Sequence, residues 1–164
     1  MSKELNLALV SSQGGHSGEM KIIFDDILLK NIKVIFITET QDKNEIGFKE
    51  KNFLGQHKTY FLKRDYLLNF NPVRYIYVLV KLIKIFKKES INLIITNGAQ
   101  ISIPAVIAGK IMGIKTIFID SITRIKTCSL SAIACYPFSD VFLVQHEKMA
   151  QKYGKKAKYV GGFI

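Results

Sequence analysis

The chain has 164 residues, of which 48% are apolar and 11% aromatic, so it can bury one substantial core and is not a disordered protein. Its formal net charge is +11, and the excess of lysine and arginine builds up after about residue 58. This balance predicts a phosphate-bearing partner, although a basic surface that only maintains solubility is the alternative. No apolar run reaches the roughly 20 residues of a membrane span, and the first residues are not typical of a signal peptide.

Strand-like and helix-like segments alternate along the chain. Most of the strand-like runs are β-branched and apolar throughout, as expected for parallel strands covered on both faces. This alternation predicts an α/β fold with a doubly wound, Rossmann-like parallel sheet in a single domain over residues 1–164. Residues 39–57 are weakly patterned and are predicted to form a loop with at most one helical turn. The predicted strands are Leu5–Val10, Val34–Thr38, Thr59–Leu62, Leu93–Thr96, Thr116–Ile119, Val141–Val144 and Lys158–Val160, and the predicted helices are Ser17–Leu29, Pro72–Lys88, Ile103–Met112, Leu130–Tyr136 and Glu147–Tyr153.

A glycine-rich loop with a histidine, SSQGGHSGEM, follows the first predicted strand. Open α/β sheets bind ligands at the carboxyl ends of their strands, where Gly14 and Gly15 would let the backbone approach a ligand. The N–H groups of the helix that begins near Ser17 would favour an anion. We predict His16 to be a general base or a contact to a substrate hydroxyl or phosphate, the alternative being a histidine that caps a backbone group. Glu19 either orients His16 or is an acid favoured at a helix start, and we favour the second role.

Two further loops follow predicted strands. Asn97 and Gly98 come after Thr96, where a ligand-binding and a purely structural role are both open. Asp120, Ser121 and Arg124 come after Ile119, and an acid, a hydroxyl and an arginine suit a sugar or a phosphate. Alternatively, Asp120 and Arg124 pair only with each other or cap a helix. Because parallel strands end at one edge of the sheet, we expect all these loops to line the same crevice.

The predicted helix Pro72–Lys88 is basic and amphipathic. Arg74, Lys81 and Lys88 recur every seven residues, and Lys84 lies close to them in sequence. Such a helix is suited to an anionic membrane surface. The alternative is an ordinary core helix with a solvated lysine face.

The sequence gives no signal for a metal or a cofactor. It lacks a DxD motif, a G-x-G-x-x-G fingerprint and a Walker A loop, and its histidines are far apart in sequence. Cys128 and Cys135 have neither metal-ligand nor disulfide spacing, so we interpret them as reduced core thiols. Nucleic-acid binding is not predicted, because the basic residues lie among aliphatic ones without a recognised motif.

Several of these segments together resemble a known family. The GGHSGEM loop, the DSITR segment from Asp120 to Arg124 and the SDVFLVQ segment from Ser139 to Gln145 resemble the acceptor-side subunit of two-component glycosyltransferases. That family includes the membrane-anchoring subunit of the eukaryotic dolichol-linked N-acetylglucosaminyltransferase and bacterial capsule and exopolysaccharide proteins. It is similar to the N-terminal domain of MurG. The resemblance covers nearly the whole chain and implies one half of a GT-B glycosyltransferase, consistent with the chain stopping at Gly161-Gly162.

The resemblance implies a subunit of a heteromeric, inverting glycosyltransferase of cell-surface polysaccharide biosynthesis. This subunit would bind a polyprenyl-pyrophosphate-linked acceptor on the cytoplasmic face of the cell membrane, as a peripheral protein. A partner subunit would bind the nucleotide-sugar donor, and the chain alone would have little or no activity. By resemblance, Gly14 and Gly15 contact the acceptor pyrophosphate and His16 is the candidate base. Asp120 stands where the family more often has Glu, which leaves a direct catalytic role for it open.

Two alternatives remain from the sequence. The chain could be a non-catalytic subunit that recruits an active partner to the membrane and enhances it. It could also be a nucleotide-binding oxidoreductase with a degenerate fingerprint. Eukaryotic members of the family carry an N-terminal membrane helix that the sequence does not show, so membrane contact is expected from the basic helix.

Overall fold

The computed structural model describes residues 5–25, 32–40, 47–49, 58–63 and 72–162. Within these ranges strands and helices alternate as the apolar pattern predicts. The strands are β1 (Leu5–Ser11), β2 (Ile32–Thr40), β3 (Gly47–Lys49), β4 (Lys58–Lys63), β5 (Leu93–Thr96), β6 (Lys115–Ile119), β7 (Val141–Val144) and β8 (Ala157–Tyr159). The helices are α1 (Gly15–Asp25), α2 (Pro72–Lys88), α3 (Ser102–Met112), α4 (Leu130–Cys135) and α5 (Glu147–Tyr153).

These strands form one sheet in the order β3-β4-β2-β1-β5-β6-β7-β8. All neighbouring pairs are parallel except β3 with β4, which is antiparallel. The chain moves outward from β1 in one direction through β2 and β4, and in the other through β5 to β8. The strand order therefore reverses between β1 and β5, and the crevice beyond the carboxyl ends of those two strands is where such sheets bind ligands.

Helices cover the two faces of the sheet unequally. On one face, α2 and α3 bury Val78, Leu82, Phe86 and Ala105 against β1, β2 and β5 side chains. The same face continues over β6 and β7, where α4 and α5 pack. On the other face, Met20 and Phe24 of α1 pack against β1 and β2. The period-2 alternation of the strands separates these cores, which confirms the doubly wound α/β prediction.

The predicted elements are found, with two differences that matter. Residues 39–57 are not simply a loop, because β2 extends to Thr40 and residues 47–49 form the edge strand β3 beside β4. Three residues carry too little pattern to predict a strand, which here depends on pairing with β4. Helix α1 begins at Gly15, so His16 belongs to its first turn. The predicted end of that helix, Leu29, lies outside the described residues.

Candidate functional site

A buried carboxylate, Glu19, lies at the centre of the crevice. Its side chain is on the second turn of α1 and is 8% exposed. The Ser121 hydroxyl and the Ile122 backbone N–H donate to Oε1 at 2.7 and 3.1 Å, and the Asn97 amide donates to Oε2 at 3.3 Å. The preferred prediction, a simple acid at a helix start, is therefore wrong. Glu19 connects α1 to the loops after β5 and β6.

His16 lies next to this carboxylate. Its Nδ1 is 3.7 Å from Glu19 Oε2, and its backbone carbonyl accepts a hydrogen bond from the Asn97 side chain. The ring packs against Gly98, where a Cβ would lie 3.1 Å from His16 Cε1 and where φ is +119°. Gly98 is therefore required both for its backbone conformation and for the space that the imidazole occupies. The His16 side chain is 31% exposed, so it can reach a ligand in the crevice.

The contacts around Glu19 keep it charged. Burial alone would raise the pKa of Glu19, but the interactions with His16, Ser121 and the Ile122 N–H outweigh burial and lower the pKa below its usual value. The carboxylate is therefore ionised at neutral pH. This negative charge lies 3.7 Å from Nδ1 of His16.

Asp120 is the second buried acid of the crevice and is 3% exposed. Burial raises its pKa to about 6, against the lowering effects of Tyr153, the Ser121 N–H and Arg124, and the charge of Glu19 adds to the rise. Its Oδ2 has no hydrogen-bond partner among the described residues. A buried polar atom without a partner is costly, which is typical of a site that a ligand completes.

Sequence reasoning did not assign the residues that hold the Asp120 loop. Gln145 Nε2 donates to the Asp120 carbonyl at 3.0 Å, and His146 Nε2 is 2.5 Å from the Ile122 carbonyl oxygen. Tyr153 of α5 hydrogen-bonds the Asp120 side chain and accepts from the Ser129 N–H at 3.2 Å. The only signal for them was the SDVFLVQ segment, which ends at Gln145 but says nothing about its partner.

A cavity of about 490 Å³ lies above the ends of β1, β2 and β5, at the same edge of the sheet as this cluster, but Glu19, His16 and Asn97 are not among its lining residues. Its volume falls within the range of small-molecule sites. Of the predicted residues, Arg124 lines it, whereas Gly14 and Gly15 are exposed at the start of α1 and the Ser17 hydroxyl donates to the Gly14 carbonyl. Cys128 is half-buried on its wall and packs against the core, while Cys135 is buried within the core. The lining residues are Ser12, Glu39, Ala99, Gln100, Ile103, Arg124, Cys128, Ser129, Leu130 and Ser131.

Helix α2 has the predicted bounds and lies apart from the Glu19 cluster. Its exposed face is apolar in the first half, with Val73 72% and Ile76 61% exposed, and cationic in the second half, with Lys84 and Lys88 exposed. Arg74 is also exposed, and Lys81 is half-buried with its ammonium over the Tyr77 ring. An apolar groove runs between this helix, α3 and α4, and is lined by Pro72, Tyr75, Ile76, Leu79, Ile103, Pro104, Ile107 and Ala134.

The described residues contain neither a cluster of metal ligands nor a helix that could span a membrane. Within the described ranges, no group of three or more His, Cys, Asp or Glu side chains could hold a metal ion. Across the same ranges, no helix combines the length and the apolar character that crossing a bilayer requires.

The fold and the crevice define a Rossmann-like domain of the kind found in GT-B glycosyltransferases and related enzymes. Acinetobacter baumannii MurG superposes with a TM-score of 0.76 at 9% identity, over 96% of this chain and 45% of MurG. The UDP-GlcNAc 2-epimerase of Methanocaldococcus jannaschii superposes with a TM-score of 0.70 at 12% identity, over 96% of this chain and 46% of the epimerase. At such identities the likeness shows the fold, and the chain spans about half of each protein.

The family follows from the sequence match. A family model described as oligosaccharide biosynthesis protein Alg14 like matches residues 7–163, and the chain belongs to this family. A relative from Debaryomyces hansenii is 28% identical over 97% of this chain and 76% of its own length. One from Rattus norvegicus is 23% identical over 99% of this chain and 84% of its own length. Both relatives are named UDP-N-acetylglucosamine transferase subunits.

These findings confirm the eukaryotic branch of the resemblance and the similarity of the fold to MurG. They place the chain in oligosaccharide biosynthesis, in a family with glycosyltransferase subunits. The relatives described here are eukaryotic and give no support to a capsule or exopolysaccharide role. That role stays a prediction.

Proposed function

We propose that this chain is the acceptor-side subunit of a heteromeric glycosyltransferase. The observation that carries the proposal is the convergence of the loops after β1, β5 and β6 on Glu19, at the edge of the sheet that also holds a cavity lined by Arg124. This arrangement combines an imidazole, a guanidinium and a buried acid whose oxygen lacks a partner among the described residues. Membership of the Alg14 family supports this function over an oxidoreductase.

The acceptor is a polyprenyl-pyrophosphate-linked glycan whose sugar enters the cavity. Arg124 on the cavity wall binds phosphate oxygens, and the exposed N–H groups at the start of α1, around Gly14 and Gly15, add further donors. Asn97 holds the His16 backbone and the Glu19 carboxylate in place. Ser121 fixes the other oxygen of Glu19.

The reaction is a single displacement with inversion at the donor sugar. The acceptor hydroxyl oxygen attacks the anomeric carbon, its proton passes to His16, and the nucleoside diphosphate leaves with the electron pair of the broken bond. The negative charge of Glu19, 3.7 Å from the ring, stabilises the imidazolium that forms. A partner subunit supplies the donor, and the names of the relatives support UDP-N-acetylglucosamine as that donor.

The first test is sugar transfer by the complex. The tagged chain is purified with its partner from native membranes and assayed with labelled UDP-N-acetylglucosamine and a polyprenyl-pyrophosphate glycan. We expect activity from the complex, little or none from the chain alone, and a loss of about a hundredfold or more for His16→Ala. Gln13→Ala, in the same exposed loop, is the matched control and keeps full activity.

Other outcomes of this assay decide against parts of the proposal. Full activity of the His16→Ala complex contradicts the base assignment and favours the non-catalytic enhancer. A chain that purifies without a partner and without transfer contradicts the whole proposal. Binding of a nicotinamide dinucleotide instead would return the oxidoreductase alternative.

The exposed face of α2 holds the complex on the cytoplasmic leaflet of the membrane. Its apolar first half and cationic second half fit the interface of an anionic bilayer.

Each lysine near such a surface contributes about 1 kcal/mol to binding, so the double variant Lys84→Gln/Lys88→Gln should bind phosphatidylserine vesicles about 10- to 30-fold more weakly. Lys148→Gln/Lys158→Gln removes the same charge from exposed sites on α5 and β8 and should leave binding nearly unchanged. Equal losses in both variants would contradict a specific role for α2.

A further inference from the structure

A buried carboxylate that the mechanism does not use lies on the wall of the cavity. Glu39 is the next-to-last residue of β2 and is 4% exposed. Ile35 and Ile37 precede it on the same face of β2, where they pack against α2 and α3. An apolar face therefore ends in a carboxylate at the point where the cavity begins.

Glu39 interacts electrostatically with a side chain of α2, which covers its face of the sheet. Burial, together with the charge of Glu39, raises the pKa of the Tyr75 phenol on α2. Ser12 and Gln100 line the cavity near the ends of the neighbouring strands. Arg124 reaches the cavity from the loop after β6, which is separated from β2 by β1 and β5. The cavity thus has an acceptor of hydrogen bonds on one side and a cationic donor on the other.

We propose that Glu39 binds hydroxyl groups of the acceptor sugar in this cavity and determines which sugar is accepted. The oxygens of a carboxylate accept hydrogen bonds, and the hydroxyls of a pyranose supply matching donors. A phosphate presents none at neutral pH and is taken by Arg124. A buried group that hydrogen-bonds a substrate hydroxyl strongly rejects an analogue without it. This proposal rests on the proposed function, since it needs the acceptor sugar in the cavity.

The test compares ligands with and without a sugar. The probes are farnesyl diphosphate and farnesyl diphosphates that carry glucose, galactose or their 2-acetamido forms, with the full chain in its complex. Binding is followed by titration and by protection of Cys128 from a maleimide. The thiol assay reports on the cavity, because Cys128 lines it and Cys135, the other cysteine of the chain, is fully buried.

We expect the best sugar-bearing probe to bind wild type more tightly than farnesyl diphosphate and to protect Cys128. Glu39→Gln should weaken that probe about 10- to 100-fold and leave farnesyl diphosphate unchanged. Arg124→Gln should weaken both probes. Glu147→Gln, an exposed acid on α5, is the control and should change neither. Single-deoxy versions of the best sugar complete a double-mutant cycle. Removing the bound hydroxyl should weaken binding to wild type at least tenfold and should change binding to Glu39→Gln little.

The outcomes separate this proposal from the one on which it rests. If sugar-bearing probes protect Cys128 but Glu39→Gln retains their preference, the Glu39 assignment is wrong and the proposed function stands. If no probe protects Cys128 in wild type, acceptor binding in this cavity is wrong, and the Glu39 assignment falls with it. Glu39→Asp keeps the charge and withdraws the oxygens by one methylene. This variant should lose the preference for sugar-bearing probes over farnesyl diphosphate while its fold stays intact. An unchanged preference would also contradict the proposal.

Discussion

Two buried glutamates at opposite ends of the sheet show the difference between a site and a structural anchor. Glu89, after the last turn of α2, is 4% exposed and meets the starts of β2 and β4. Its oxygens accept from Lys58 at 2.7 Å, Tyr60 at 2.5 Å and Lys33 at 3.0 Å. Glu19, at the crevice end, has neutral donors and a histidine instead.

The difference lies in what surrounds each charge. Burial acts to raise the pKa of both, yet the lysines and Tyr60 lower that of Glu89 to about 2. Glu89 is compensated by cations and joins α2 to the sheet. Glu19 has a protonatable ring beside it, and Asp120 nearby has an oxygen without a partner among the described residues. A compensated carboxylate stabilises the fold, whereas a group of incompletely satisfied polar atoms indicates a place for a ligand.

Between the two glutamates, the larger expected effect on activity concerns Glu19. Glu19→Gln should lower the kcat of the complex by about 10- to 100-fold, because a neutral amide no longer stabilises a protonated His16. Its KM should stay nearly constant, since the amide still occupies the same place between the loops. Steady-state kinetics measure both values. A raised KM with an unchanged kcat would show that Glu19 only supports the acceptor loops.

Glu89 should behave in the opposite way. Glu89→Gln is expected to lower the free energy of unfolding by about 2–3 kcal/mol at pH 7, with the transfer rate per folded complex unchanged. The unfolded chain binds more protons between pH 4.5 and about 2, because folding lowers the pKa of Glu89. The stability that Glu89 provides is therefore present above pH 4.5 and lost as the pH falls to about 2. Denaturant unfolding across this range should show a weaker pH dependence in the variant, and equal slopes in both proteins would contradict the anchor role.

Replacing Asp120 has the smallest expected effect on the free energy of unfolding, and it should stabilise the protein, whereas replacing Glu89 should destabilise it. Its pKa of about 6 in the folded chain lies above the usual 3.8, so the folded state holds more protons between these values. Stability should fall as the pH rises through this window. Asp120→Asn should therefore raise the free energy of unfolding by about 1–2 kcal/mol at pH 7.5 and by nothing at pH 4. Thermal or denaturant unfolding at the two pH values tests this, and destabilisation at pH 7.5 would show that the carboxylate is already well satisfied.

The sequence predicts most of the sheet because its strands and helices carry their own signals. Short, largely apolar runs such as Leu5–Val10 predict buried strands, and Pro72 stands at the start of α2 as predicted. The crevice loops were also predictable, since polar residues directly after such runs must lie at the carboxyl edge. The strand β3 was not predictable, because its three residues depend on pairing with β4.

The partners of individual side chains were beyond the sequence. Glu19 and Ser121 are 102 positions apart, and no spacing rule connects them. Glu39 lies in a segment without clear pattern, so nothing marked it as a cavity residue. Glu89 follows a lysine-rich helix end, and its contacts with Lys33 and Tyr60 depend on the order of β2 and β4 in the sheet.

The sequence by itself determined the fold class, the family and the set of loops that face the crevice, because periodicity and short motifs are local properties. Only the tertiary structure decided that, of the buried glutamates Glu19, Glu39 and Glu89, the first two lie at the crevice end of the sheet and the third at the opposite end. It also decided that Glu19 rather than Asp120 lies beside His16, and that a cavity lies between β2 and the β6 loop. The reason is physical: burial and the identity of neighbouring charges set the behaviour of a carboxylate, and both arise only when distant segments pack together.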